Sequence, residues 1–107
     1  MHFWTGPAYA APPAPPAPLT EEEADHILRR LGLANLVERD QHAADGQRYT
    51  LINGHVLTIA PNGALAFADA EGAPVESYLV TLSQFEVGPR DIICTFAGRI
   101  VERITRG

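Results

Sequence analysis

Apolar residues between Tyr49 and Phe85 alternate with small or polar ones, and turn sequences divide this stretch about every nine residues. Asn53-Gly54 suits the positive backbone angles of a two-residue hairpin turn. Pro61-Asn62-Gly63 and Glu71-Gly72-Ala73-Pro74 are further turn sequences. The pattern predicts an antiparallel meander, with strands over residues 47–52, 55–60, 64–69, 75–85 and 92–97.

Several parts of this sheet have distinctive faces. Both faces of the long strand 75–85 are apolar, which is typical of a central strand covered on both sides. The strand at 64–69 directs Leu65 and Phe67 inward, and its other face is lined by alanines, Ala64, Ala66 and Ala68. Gly98 is expected to form a bulge or bend. Residues 99–104 fit strand or short helix, and we favour strand.

The segment before the meander is ambiguous. Residues 34–39 satisfy either a short helix or a first strand. Residues 40–46 are polar and end in Asp-Gly, so they are predicted to form a long hairpin loop. His42 lies between Asp40 and Asp45 in this loop. As a metal site this group has too few ligands, and we interpret it as solvated.

Residues 20–31 have the sequence features of an amphipathic helix. Thr20 and Glu23 match a capping box, and Gly32 suits the left-handed position that ends a helix. Acidic residues fill the first turn and arginines the last, as the helix dipole favours. His26 is predicted on the solvent-facing side. The stripe facing the sheet consists of Ala24, Ile27, Leu28 and Leu31.

Residues 1–18 form a Pro/Ala-rich arm that contains six of the nine prolines. Proline lacks the backbone donor that a helix needs, so residues 11–18 favour an extended polyproline II spacer. Phe3, Trp4 and Tyr9 precede this spacer. Large aromatic side chains are typical anchors at interfaces. The arm is therefore expected to dock on its own domain, on a second copy or on a foreign protein.

Composition and charge exclude several functions. The chain of 107 residues has 13 acidic residues, eight arginines and no lysine, which gives a formal net charge of −5. Binding to nucleic acid or to an anionic membrane needs a positive surface, so neither is predicted. The single cysteine, Cys94, lies in an apolar run and is expected to be a buried thiol. With no signal-peptide pattern, the cytoplasm is the expected location.

Four arginines lie near the C-terminal end, whereas residues 21–25 are acidic. We interpret these groups as surface charge with weak mutual pairing. The alternative is an electrostatically polar molecule that docks head to tail or onto a charged partner. The arginines concerned are Arg90, Arg99, Arg103 and Arg106.

The sequence contains no glycine-rich phosphate loop, no zinc-ligand spacing and no Gly-x-Ser-x-Gly elbow. No metal, cofactor or catalytic residue is therefore predicted. The fold predicted is α+β: an N-terminal helix packed on a bent antiparallel meander of five to six strands. Residues 1–18 are the arm and residues 19–107 are one domain.

These observations favour a small non-enzymatic protein-interaction module. It is expected to be an accessory, regulatory or inhibitory protein of bacterial or phage origin that binds a protein partner or a second copy through the arm and the sheet. The candidate partner-binding residues are Phe3, Trp4 and Tyr9. The alternative is a small-ligand-binding domain or small enzyme, with a cavity under the sheet lined by Tyr49, Leu57, Phe67, Tyr78 and Phe96.

Overall fold

The structure is a computed structural model that describes residues 17–43, 45–76 and 82–106. One α-helix and two antiparallel sheets of four and three strands give the predicted α+β class. In chain order the elements are α1 (Glu21–Leu31), a 3-10 turn (Ala34–Leu36), β1 (Val37–Ala43), β2 (Gly46–Leu51), β3 (Val56–Ile59), β4 (Leu65–Ala68), β5 (Gln84–Val87), β6 (Asp91–Phe96) and β7 (Arg99–Thr105).

Helix α1 begins and ends as its sequence predicts. The Thr20 hydroxyl accepts from the Glu23 amide, and the Glu23 carboxylate accepts from the Thr20 amide, which completes the capping box. Gly32 has a φ of 76° and ends the helix in the left-handed region. The predicted apolar stripe is confirmed, because all four of its residues are buried.

The four-stranded sheet is a meander in the order β1-β2-β3-β4. Tyr49 is paired with Leu57, and Leu57 is paired with Phe67. Cross-strand partners point to the same face, so these three buried residues form a row across the inner face. Turns at the predicted positions Asn53-Gly54 and Pro61-Asn62-Gly63 connect the last three strands. The first is not the predicted two-residue turn, because the Leu51 amide donates to the His55 carbonyl oxygen and, of Asn53 and Gly54, only Gly54 has a positive φ, of 87°.

The segment before the meander combines both predicted alternatives, a 3-10 turn at Ala34–Leu36 followed by strand β1. The prediction of a long loop over residues 40–46 is wrong. Asp40 pairs with Tyr49 and His42 with Gln47, so strand pairing continues to Ala43. Pairing with β2 outweighs the polar composition, because an edge strand tolerates polar side chains on both faces.

The three-stranded sheet has the order β5-β6-β7. Residues 99–105 form a strand, as favoured from the sequence. Ala97 and Gly98, with φ of 53° and 77°, form the turn between β6 and β7 rather than a bulge. A bulge lies further along β7, at Val101. Cys94 pairs with Glu102 and Thr95 pairs with Ile100, so Val101 has no partner on β6.

The two sheets replace the single meander of five to six strands that the sequence predicts. Val75 and Glu76 lie outside any strand, and so do Leu82 and Ser83, so the predicted long strand 75–85 is wrong at these positions. Pairing with β4 ends in an isolated bridge between Ala68 and Pro74. Proline cannot donate to a ladder, which limits further pairing at this point.

The sheets meet where the turn at Gly63 touches β5. The Val87 amide donates to the Asn62 carbonyl oxygen at 3.0 Å. A Cβ atom at Gly63 would lie 2.6 Å from the Phe85 carbonyl oxygen, and the φ of this glycine is 94°. Only glycine meets both constraints.

One apolar core joins the helix to both sheets. It also includes Leu19, which precedes the helix, and Cys94, whose thiol is buried as predicted. The largest side chains that are fully buried come from all three layers: Ile27, Tyr49, Leu57, Ile59, Ile92 and Cys94.

Candidate functional site

The predicted partner-binding residues Phe3, Trp4 and Tyr9 lie outside the described residues, so the structure does not place them. It does describe the last two residues of the arm, Ala17 and Pro18. Both are exposed and precede the buried Leu19. The position at which the arm joins the domain is therefore defined.

Arg106 holds this junction. Its Nε donates to Glu23 Oε2 at 2.9 Å and its Nη2 to Glu23 Oε1 at 3.0 Å. Nη2 also donates to the carbonyl oxygens of Ala17 and Pro18, at 2.8 and 3.1 Å, and Nη1 donates to the Gly88 carbonyl oxygen at 2.9 Å. We call this group of five residues the arm anchor. It ties the base of the arm to the C-terminal end of β7.

The ion pair within the arm anchor is well shielded from water. The side chain of Arg106 is 7% exposed and that of Glu23 is 15% exposed. The hydrogen bonds from Arg106 lower the pKa of the Glu23 carboxyl from its ordinary value of 4.5, against the opposing effect of burial. The charge pattern predicted only weak surface pairing between these regions, and this pair is instead bidentate and largely buried.

A second acidic residue connects β7 to α1. His26 Nε2 lies 2.9 Å from Glu102 Oε2, and Arg30 Nε lies 3.7 Å from the other oxygen of the same carboxylate. The sequence predicted that His26 faces solvent. In the structure it pairs with Glu102 of β7 instead. His26 and Arg30 are one helical turn apart, so β7 runs alongside α1.

The end of the β6–β7 hairpin carries three bulky apolar residues that are largely exposed. Phe96 is 49% exposed, Ile100 is 56% exposed and Val101 is 44% exposed. We call these three residues the hairpin patch. Phe96 continues the core-facing side of β6 past the end of the core, whereas Ile100 pairs with Thr95 on the opposite face. Apolar surface therefore wraps around the end of the hairpin.

Strand β7 is an edge of its sheet, but features along it oppose the addition of another strand. Val101 bulges out of the ladder, and Arg99 and Arg103 carry charge along the edge. Arg103 is paired with Asp91 at 3.1 Å. The hairpin patch is thus suited to contact through side chains rather than through backbone pairing.

A polar group lies between β1, β2 and the start of α1. His42 Nδ1 is hydrogen-bonded to the Gln47 side chain, and its Nε2 lies 3.2 Å from Asp40 and 3.8 Å from Glu21. The Gln47 hydrogen bond, followed by the Asp40 hydrogen bond and the two nearby carboxylate charges, raises the pKa of His42 from its ordinary value of 6.5. His42 belongs to strand β1 and is half-buried there.

Tyr49 lies beside this group. Its ring meets the His42 imidazole edge to face, with the ring centroids 6.0 Å apart. The Tyr49 hydroxyl is buried and has no hydrogen-bond partner among the described residues. Burial, followed by the charges of Asp25, Asp40 and Glu21, raises the pKa of Tyr49 to about 12. The phenol therefore remains neutral at physiological pH.

Three of the five residues proposed to line a ligand cavity belong to the packed core. Tyr49, Leu57 and Phe67 are packed in the core, with 1%, 0% and 4% of their surface exposed. Phe96 belongs to the hairpin patch, and Tyr78 lies outside the described residues. Among the residues that the structure describes, no three His, Cys, Asp or Glu side chains form a group that could hold a metal ion.

Comparison of the chain with protein-family models, curated proteins and solved structures gives no match. No helix in the described part of the chain is long and apolar enough to cross a membrane. The arguments for function therefore rest on the arm anchor and the hairpin patch. Sequence reasoning missed both.

Proposed function

We propose that this chain is a small, non-enzymatic, cytoplasmic protein-interaction module with an accessory, regulatory or inhibitory role. It binds a protein partner or a second copy through the hairpin patch of its sheet together with the N-terminal arm. The observation that carries the proposal is the hairpin patch, in which three bulky apolar side chains within six residues are left largely exposed.

The energetics favour joint use of the patch and the arm. The three side chains are already about half buried, so covering the part that is still exposed gives a gross gain of about 2–5 kcal/mol. Association costs about 4–15 kcal/mol in lost translational and rotational freedom. The hairpin patch alone therefore supports at most a weak complex. The aromatic residues of the arm, Phe3, Trp4 and Tyr9, supply the additional apolar area that a stable complex needs.

A ligand-binding or catalytic role ranks lower. Such a role needs a concave site with a few converging polar groups. Tyr49, Leu57 and Phe67 fill the position under the sheet where that site was expected. Binding through the hairpin patch uses side chains that lie outside the core and needs no rearrangement of the core.

Binding measurements on hairpin variants test the proposal. A partner captured from host lysate is purified and its affinity for the full chain is measured, and sedimentation over a concentration series covers the case of a second copy. Ile100→Glu is expected to weaken either association at least about tenfold, because it places a charge in a desolvated contact. Ile52→Glu is the matched control, because Ile52 is an isoleucine that is 64% exposed in the β2–β3 turn.

The control is expected to change the affinity by less than about twofold, within the scatter of surface substitutions. Both variants are checked for unchanged thermal unfolding. Equal effects of Ile100→Glu and Ile52→Glu, or no effect of Ile100→Glu, would overturn the proposal.

A further inference from the structure

The arm anchor fixes where the arm starts. Arg106 holds the carbonyl groups of Ala17 and Pro18 beside the C-terminal end of β7. The hairpin patch lies at the other end of the same strand. The base of the arm and the patch are therefore separated by the length of β7.

The arm is long enough to cover this distance. From Val101 to Arg106 the strand spans about 17 Å, at roughly 3.3 Å per residue. Residues 9–17 span about 25 Å in the polyproline II geometry that their prolines favour. Tyr9 therefore reaches the hairpin patch with several ångströms to spare, which allows the arm to pass around the strand edge. Phe3 and Trp4 lie further out on the arm and reach it as well.

Tethering favours the arm's own domain over a second copy. A segment on a short tether has an effective concentration in the millimolar range at a site that it can reach. At about 1 to 100 µM protein, other molecules offer the same segment at about a thousandth to a tenth of that concentration. Because the arm anchor sets a reachable distance, docking within one chain is the favoured arrangement.

We propose that, in the free protein, the arm covers the hairpin patch of its own chain, with Trp4, Phe3 and Tyr9 against Phe96, Ile100 and Val101. A binding partner displaces the arm from the patch and contacts both the patch and the aromatic residues that the arm then offers. This second statement rests on the proposed function, whereas the covered resting state does not. The occupant is residues 1–16 of the same chain, and a second copy is the competing outcome.

Trp4 is the only tryptophan in the chain, so its fluorescence reports on the arm alone. Emission and acrylamide quenching are measured for the full chain from about 1 to about 100 µM, well below the effective concentration of the tether. The expected result is a blue-shifted emission, protected from quenching and independent of concentration. Ile100→Glu and Phe96→Ser are expected to abolish the shift, and Ile52→Glu is expected to retain it.

Three results would overturn the proposal: solvent-like emission at every concentration, a blue shift that appears only as the mass doubles, or a blue shift that survives both hairpin substitutions. Circular dichroism verifies that each variant is folded. No partner is needed, so the two proposals fail separately. If Trp4 is exposed but the partner binds as proposed, only the covered resting state is wrong. If Trp4 is covered but partner binding is insensitive to Ile100→Glu, only the proposed function is wrong.

Discussion

Arg106 connects three distant parts of the described chain. It binds Glu23 at the start of α1, Gly88 before β6, and the two residues that end the arm. Its planar guanidinium has five donors, which suits a bidentate carboxylate and several carbonyl groups at once. The ammonium group of lysine lacks the parallel donors that this bidentate contact needs.

Arg106→Ala is expected to lower the free energy of unfolding by about 3 kcal/mol, because Glu23 loses its partner in a site largely shielded from water. Arg103→Ala is the control. Arg103 is 57% exposed and paired with Asp91, so its loss is expected to cost less than about 1 kcal/mol. Urea unfolding measures both. Similar costs for the two variants would contradict the shielded role of Arg106.

Tyr49→Phe tests the isolated hydroxyl in the core. A buried polar group without a hydrogen bond is unfavourable, so its removal is expected to raise the free energy of unfolding by about 1 kcal/mol. The ring and its contacts stay in place. Thermal or urea unfolding compares the free energies of unfolding of the native chain and the variant. A marked loss of stability in Tyr49→Phe would mean that the hydroxyl has a hydrogen-bond partner in solution.

His42 predicts a dependence of stability on pH. Its pKa is raised in the folded state by Gln47, Asp40 and Glu21, so its contribution is complete below pH 6.5 and is lost as the pH rises through the raised value. Stability of the native chain is expected to fall over that window, and His42→Gln is expected to lack this fall. Urea unfolding at a series of pH values measures it, and parallel profiles would rule the contribution out.

Glu23→Gln is the control for the acidic side of the profile of stability against pH. The folded pKa of Glu23 is lowered, so its contribution is complete above about pH 4.5 and is lost on acidification through the lowered value. This variant is expected to change the acidic side of the profile and leave the His42 window intact.

At the scale of elements, the sequence predicts well wherever the signal is local. The capping box and the apolar stripe of α1 lie within twelve residues, and Asn53-Gly54 locates the β2–β3 hairpin, although the loop has three residues instead of the predicted two. The second half of β1, residues 40–43, was predicted as a loop because it is polar. Its pairing with β2 decides its structure, and that pairing is not visible in local composition.

The candidate site was harder to predict for the same reason. The two charged residues of the arm anchor, Glu23 and Arg106, are 83 positions apart, so no motif connects them. Ile100 and Val101 have the composition of core-strand residues. Only the position of their hairpin beyond the end of the core leaves them exposed.

Glycine at position 63 controls how the two sheets meet. Gly63→Ala is expected to cost about 2–4 kcal/mol, because strain at positive φ adds to a clash with the Phe85 carbonyl oxygen. Gly72→Ala is the matched control. Gly72 has a φ of 90° and open space around its Cα, so strain alone should cost about 1 kcal/mol. Equal costs in urea unfolding would show that the close approach of the sheets is not a constraint.

At the scale of the whole molecule, one core is enclosed by a helix, a four-stranded meander and a three-stranded sheet. Two features lie outside this core at opposite ends of β7, the arm anchor and the hairpin patch. We propose that the hairpin patch and the arm bind the partner, that the arm anchor sets where the arm starts, and that the meander supports the hairpin.

Hydrogen exchange resolved along the chain tests this assignment most directly. Amide exchange is compared between the free protein and its complex with the captured partner or, for self-association, its concentrated form. We expect the partner to slow exchange at residues 96–101 beyond the protection that the tethered arm gives them in the free protein, with no change at the exposed turn 52–54. Unchanged exchange at residues 96–101, with protection appearing on β1 and β2 instead, would contradict it.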